Sequence, residues 1–198
     1  MFLGSRLSGE HEALLETVRD PVCLVCARAE GAARRALEGV LRDGVNDVRV
    51  RADWRKRGGL CGHHWRVWRH LDSPPLSTAI LTEDLLQSYL DDGNDHTPRC
   101  FGCEIRSRVE ERALKALRSV PLKRLDEAMD QGPGLVCLRH YEALPDGDVK
   151  ARFEARFRLL LEHLREQVRT SDHRFVSERR GPHADAWLRA LRVLGADV

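Results

Sequence analysis

All six cysteines of this sequence stand in pairs or beside a histidine, at a spacing that lets two side chains reach one ion. Cys23 and Cys26 form a C-x-x-C within PVCLVC, and Cys100 and Cys103 form another within RCFGC. Cys61 and His64 form a C-x-x-H within GGLCGHH, and Cys137 and His140 a second within GLVCLRH. Thiolate sulfur and imidazole nitrogen suit zinc, which takes four ligands in a tetrahedron. A C-x-x-C at a helix start places two sulfurs on one side of an ion, where backbone amides and the helix dipole favour the thiolate. A C-x-x-H at another helix start supplies the other two ligands. Four protein ligands leave no open position, so the chemistry expected is structural rather than catalytic.

The spacing repeats along the chain. Between Cys26 and Cys61 lie 34 residues, and between Cys103 and Cys137 lie 33. Arg35-Ala36-Leu37 is followed 77 positions later by Arg112-Ala113-Leu114, and Trp65 after the first histidine corresponds to Tyr141 after the second. We read an internal duplication. A duplicated unit most simply keeps its own site, so the expected sets are Cys23, Cys26, Cys61 and His64 in one repeat, and Cys100, Cys103, Cys137 and His140 in the other. The register selects His64 over its neighbour His63, which is expected at the surface or behind the ligands. Two zinc ions per chain follow, on which the fold would depend. Buried free thiols, a thioredoxin-like redox pair and an iron–sulfur centre are the alternatives, the last expected more often with all-cysteine ligation.

The elements that must position these groups are helical. Leu14, Leu15 and Val18 predict a short helix ending before Pro21. Residues 27–42 predict a second, with Asn46 or Asp47 capping a third that stops at Gly58-Gly59. Helices from Cys61 to about Leu71 and from Ser77 or Thr78 onward complete the first half. The second half repeats the plan near 103–119, 122–130 and 137–144. Then comes a longer helix carrying Phe153, Phe157, Leu160, Leu161, Leu164 and Val168. Residues 171–183 read as an irregular arm, and a last helix holds Trp187, Leu188, Leu191 and Leu194. The fold class expected is all-α: residues 1–91 as a first repeat, 92–98 as a linker, and 99–198 as a second repeat with a carboxy-terminal extension, all in one packed unit.

Composition narrows the function. The 198 residues are 42% hydrophobic, and 33 Lys+Arg against 31 Asp+Glu give a net charge of +2, so no global field favours a polyanion. Only Lys56, Lys115, Lys123 and Lys150 are lysines, an arginine bias we read as genomic composition. The amino-terminal apolar stretch is broken at Gly4, Ser5 and Arg6, and no run of about 18 apolar residues occurs. A cytoplasmic protein without membrane spans is therefore expected. Residues 49–70 carry Arg49, Arg51, Arg55, Lys56, Arg57, Arg66 and Arg69 with Trp54, Trp65 and Trp68 interleaved. That pattern suits a nucleic-acid surface, but more often a solvated helix face over core tryptophans. His163 and His173 are general-base residue types without an identifiable nucleophile, and no phosphate loop or nucleophile elbow is present.

The duplicated pattern resembles an uncharacterised prokaryotic family, a domain of unknown function, whose members read CPVC, then GGLCxxHxW, then a second copy, then a closing HDYRF…DAW. Cys23, Cys26, Cys61, His64, Trp65, Cys100, Cys103, Cys137 and His140 carry the resemblance, with Asp172, Arg174, Phe175, Asp185, Ala186 and Trp187 in the closing segment. Ser171 and His173 depart from that segment, and Val136 separates Leu135 from Cys137. The family implies a fold and ligands but no activity. Within the arm, Asp172, His173 and Arg174 are candidate contacts for an anion or partner, against a plain ion pair fastening the carboxy terminus. Phe175 and Trp187 are expected to face the core and pin it. The function expected is a zinc-stabilised, non-enzymatic adaptor or accessory factor with a protein partner; an iron–sulfur or thiol sensor and a nucleic-acid binder are the competing readings.

Overall fold

A computed structural model of the chain describes residues 8–72, 74–92, 99–178 and 181–195. The amino-terminal stretch through Leu7, positions 93–98 of the expected linker, and Arg179 and Arg180 of the arm lie outside them. The described residues are all-α: α1 (Gly9–Glu16), α2 (Leu24–Gly39), α3 (Val48–Arg57), α4 (Gly62–Arg69), α5 (Pro75–Asp92), α6 (Phe101–Ser119), α7 (Leu122–Met129), α8 (Leu138–Glu142), α9 (Asp148–Thr170) and α10 (Ala186–Val193). Extended pairing among them is a single parallel bridge, Cys23 to Leu135.

Local chemistry explains most boundaries. Ser8 caps α1 by accepting from the His11 amide while the His11 ring answers to the Ser8 N–H. Asp47, one of the two expected caps, accepts from the Arg49 amide at 2.8 Å and starts α3. Helix α5 begins at Pro75 rather than at Ser77 or Thr78. Proline lacks the amide that the first turn would leave unpaired, so it extends the helix backward.

The chain divides into two units, Met1–Arg28 with Glu111–Val198, and Ala29–Glu110. The boundaries fall inside α2 and α6, each of which starts in one unit and ends in the other.

The first unit packs Leu14, Val18, Leu24 and Val25 against Leu117, Leu125, Met129, Val136, Leu144 and Phe153. The Arg156 guanidinium donates to the carbonyls of Met129 and Gly132, bracing the turn before Cys137. Beside it, α10 meets α9 through Ala186, Ala190 and Val193 against Phe157, Leu160 and Leu164. Of the expected Trp187, Leu188, Leu191 and Leu194, all but Leu188 are exposed. One residue turns the helix by about 100°, and the small Ala186 and Ala190 side chains permit the close approach. Likewise Leu161 and Val168 of α9 are exposed. The second unit packs Leu37, Leu41, Val45, Leu60, Leu71 and Leu81 around Trp54 and Trp68.

Candidate metal centres

In each unit a C-x-x-C lies at the start of a long helix, facing a C-x-x-H at the start of a short one. Cys23 immediately precedes α2 and its carbonyl accepts from the Ala27 amide; Cys100 stands likewise before α6 and accepts from Glu104. Cys137 is the N-cap of α8 (φ −73°, ψ 163°) and Cys61 that of α4 (φ −73°, ψ 165°). Their carbonyls accept from the Tyr141 and Trp65 amides. With the cysteine at N-cap, the histidine three positions on returns to the same end of the helix.

The two ligand sets do not form within the expected repeats. Cys23 and Cys26 meet Cys137 and His140, while Cys61 and His64 meet Cys100 and Cys103. The expected pairing of Cys23 and Cys26 with Cys61 and His64 is thus corrected, although all eight residues do cluster. Backbone bonds enforce the exchange in the first unit. The Leu24 amide donates to the Leu135 carbonyl at 2.9 Å, Leu135 to Val22 at 3.1 Å, and Gly134 to Val18 at 2.8 Å. A Cβ on Gly134 would stand 2.6 Å from the Val18 Cα, so only glycine allows this approach. In the second unit Arg57 joins the end of α3 to α6. Its guanidinium reaches Glu104 at 2.5 Å and lies over the Phe101 ring, and its carbonyl accepts from the Arg99 amide.

The dimensions of the two clusters agree. His140 Nδ1 lies 3.3, 3.5 and 3.1 Å from the sulfurs of Cys23, Cys26 and Cys137. His64 Nδ1 lies 3.2, 3.3 and 3.5 Å from those of Cys61, Cys100 and Cys103. Cys26 and Cys137 sulfurs are 3.9 Å apart, and those of Cys61 and Cys103 3.6 Å. A tetrahedral ion with bonds of about 2.3 Å to sulfur and about 2.0 Å to nitrogen would separate its ligand atoms by roughly 3.5–3.8 Å. The residues present therefore fit one metal ion per cluster.

Electrostatics point the same way. Hydrogen bonds from Cys23 and Cys26 pull the Cys137 thiol far below its ordinary range, against burial. The Cys26 thiol is raised by its bonds to Cys137 and Cys23 and then by burial. In the second unit burial raises Cys61, but the backbone amides of His64 and His63 and the sulfurs of Cys103 and Cys100 together outweigh it, and the thiol is lowered. Cys103 is pushed up to about 12 by desolvation of its sulfur and by hydrogen bonds to Cys61 and Cys100. Charge thus settles on the cysteine that caps a helix, and a second thiolate beside it is resisted until a cation neutralises the group. Burial, followed by the neighbouring charge of His63, lowers His64, which keeps its imidazole neutral with a lone pair for a metal.

Several of the other candidate residues take ordinary partners. Arg51 grips Asp84 at 2.5 and 2.6 Å and Arg55 adds a contact at 3.2 Å. Arg57 pairs with Asp53 as well as Glu104. Trp54 and Trp68 are buried with ring centroids 5.2 Å apart, and Trp65 meets Trp54 edge-on. Asp84 lies beyond the arginine-rich window, so reading residues 49–70 by themselves missed it. His163 Nδ1 lies 3.3 Å from Arg189.

In the arm, Arg174 donates to Asp172 at 2.7 Å through its guanidinium and at 2.9 Å through its amide, and His173 Nδ1 stands 3.2 Å from the same carboxylate. Phe175 is half-buried under Arg169, whose guanidinium lies 4.6 Å from the ring centroid. Trp187 is 52% exposed and does not pin the arm, contrary to expectation. Its amide donates to Gln167, which fixes the backbone while the ring points out.

Sequence reasoning missed Glu30 and Gly102. Glu30 lies 3.3 Å from His63 Nε2 and 2.8 Å from Arg106 Nε. A Cβ on Gly102 would stand 2.3 Å from the His64 ring. The Gly102 signal was visible, since C-F-G-C stands where the first C-x-x-C has Val25. Nothing local marks Glu30.

Comparison with family models, curated proteins and solved structures found no match to this chain. No helix among the described residues is long and apolar enough to cross a membrane.

Proposed function

We propose that this is a helical protein holding two zinc ions, one per unit, acting as a non-enzymatic adaptor whose two units present surfaces to a protein partner. The observation that carries the reading is the convergence of three sulfurs and one Nδ1, within each unit, at separations suited to a single tetrahedral ion. Four side-chain ligands complete zinc's coordination, which favours a structural over a hydrolytic role. The compactness of each cluster favours one ion over a multi-iron cluster, whose ligands attach to separate irons and stand further apart. Membership of the domain-of-unknown-function family that the motifs resemble belongs to the same proposal, as does the internal duplication.

The test is metal analysis with native mass spectrometry on protein purified anaerobically. Two zinc ions per chain in a colourless protein support the reading. Iron with visible charge-transfer absorption supports an electron-carrying or sensing protein, and a metal-free folded chain defeats both.

A further inference from the structure

Each candidate ligand histidine has a second ring nitrogen, and the two units treat it differently. His64 turns Nδ1 to the three sulfurs, so in the metal-bound form Nε2 must carry the proton. His64 is fully buried, and its Nε2 has no hydrogen-bond partner. Close to the ring stands Glu30, with the Glu30, His63 and His64 ligand-type atoms all within 4.8 Å of one another. Glu30 Oε1 is itself buried; it is ion-paired with Arg106 Nε at 2.8 Å but is out of line for a hydrogen bond. A buried donor without a partner thus stands near a carboxylate oxygen that lacks a hydrogen bond. In the first unit His140 Nε2 faces Arg139 Nη2 at 3.2 Å, a guanidinium rather than a carboxylate. In the repeat register the counterpart of Glu30 is Ser107.

We infer that Glu30 is the positioning residue of the second unit's metal centre, accepting the His64 Nε2–H directly or through one water and so holding Nδ1 on the ion. The inference rests on the reading that the cluster binds metal. Leaving the His64 Nε2–H unpaired in a buried place is costly, and a contact with Glu30 removes that cost. A carboxylate behind a ligating imidazole selects the tautomer, fixes the ring and strengthens the nitrogen as a donor. Gly102 closes the other side: the ring lies where any side chain would stand, so its plane is set by backbone contact and its rotation by Glu30. Arg106 and His63 hold the carboxylate from behind, and the Arg106 guanidinium offsets its charge. Glu30 is no ligand of the ion, because three sulfurs and His64 Nδ1 already complete its four positions.

The experiment is competition of the zinc-loaded full chain against a chromophoric chelator, with Glu30→Ala and Glu30→Gln beside the wild type. Glu30→Ala is expected to weaken one of two zinc equivalents by about 10–100-fold and leave the other unchanged. Glu30→Gln, which keeps an acceptor without the charge, should recover most of that loss. Proton NMR of the zinc-loaded protein should show a slowly exchanging imidazole N–H from His64 that Glu30→Ala abolishes, a signature a general loss of packing would not move selectively. Two equivalents released from Glu30→Ala as from the wild type would overturn the inference. So would a third zinc in the wild type, since Nε2 would then be a ligand. A wild-type chain that takes up no zinc overturns the metal reading itself.

Discussion

Cys23 Sγ and His140 Nδ1 lie 3.3 Å apart although 117 positions separate them in the chain. In the same way Cys100 reaches His64, not the histidine that follows it in its own half of the sequence. The exchange couples the halves: the first unit's site closes only when the chain beyond Leu135 has returned to Cys23.

Double variants read the pairing directly. Cys23→Ser and Cys137→Ser should each reduce metal content from two ions to one, and their combination should stay at one. Cys23→Ser combined with Cys61→Ser should lose both. Intra-repeat pairing gives the opposite result for the two combinations, and metal analysis with native mass spectrometry distinguishes them.

Gly102→Ala should empty the second unit's site while sparing the first. The added Cβ would lie 2.3 Å from Cδ2 and 2.7 Å from Nε2 of His64, inside any tolerated contact. Displacing the ring removes one of four ligands, and overpacking alone costs about 1–3 kcal/mol. One metal per chain and a lowered melting temperature are expected.

Metal removal should melt helices, because structural zinc contributes on the order of 10–16 kcal/mol of apparent binding free energy per site at neutral pH. Binding must expel protons from Cys26 and from Cys103, whose thiols are both raised, the latter to about 12. Affinity should therefore rise with pH and fall as protons compete. Chelator titrations followed by circular dichroism across pH test this; helix content independent of metal would contradict it.

Asp84→Asn should destabilise the second unit by about 1–2 kcal/mol at neutral pH, since Arg51 and Arg55 then lose a part-buried charged acceptor. The hydrogen bond from Arg51 holds the Asp84 carboxyl below the usual range, against burial. A carboxyl with a folded-state value below its unfolded one stabilises fully above the unfolded value and loses this as pH falls through the folded one. Wild type and variant should thus converge in strong acid, as denaturant titrations at several pH values would show.

The all-α class and the eight clustered side chains were legible because helix signals and three-residue ligand spacings are local. Asp47 caps α3 through its own neighbours, and Cys61 beside His64 is a matter of one turn. The face of α10 was not legible: Trp187, Leu191 and Leu194 have the right spacing, but Ala186 and Ala190 allow the closer contact with α9. Nor was Glu30, because a carboxylate 34 positions from its histidine has no local mark.

The sequence by itself determined which atoms are available to a metal and at which helix ends they stand. Only the tertiary structure decided which pair meets which. The two C-x-x-C and two C-x-x-H pairs are chemically interchangeable, so either pairing would satisfy two ions equally, and nothing in the spacing of either half distinguishes them. The path of the chain does. Residues 29–110 form the second unit, and the chain re-enters the first at Glu111. Cys61 follows α2 into the second unit, and Cys137 returns behind α6 to the first, where the glycine-dependent contact of Gly134 with Val18 sets it beside Cys23.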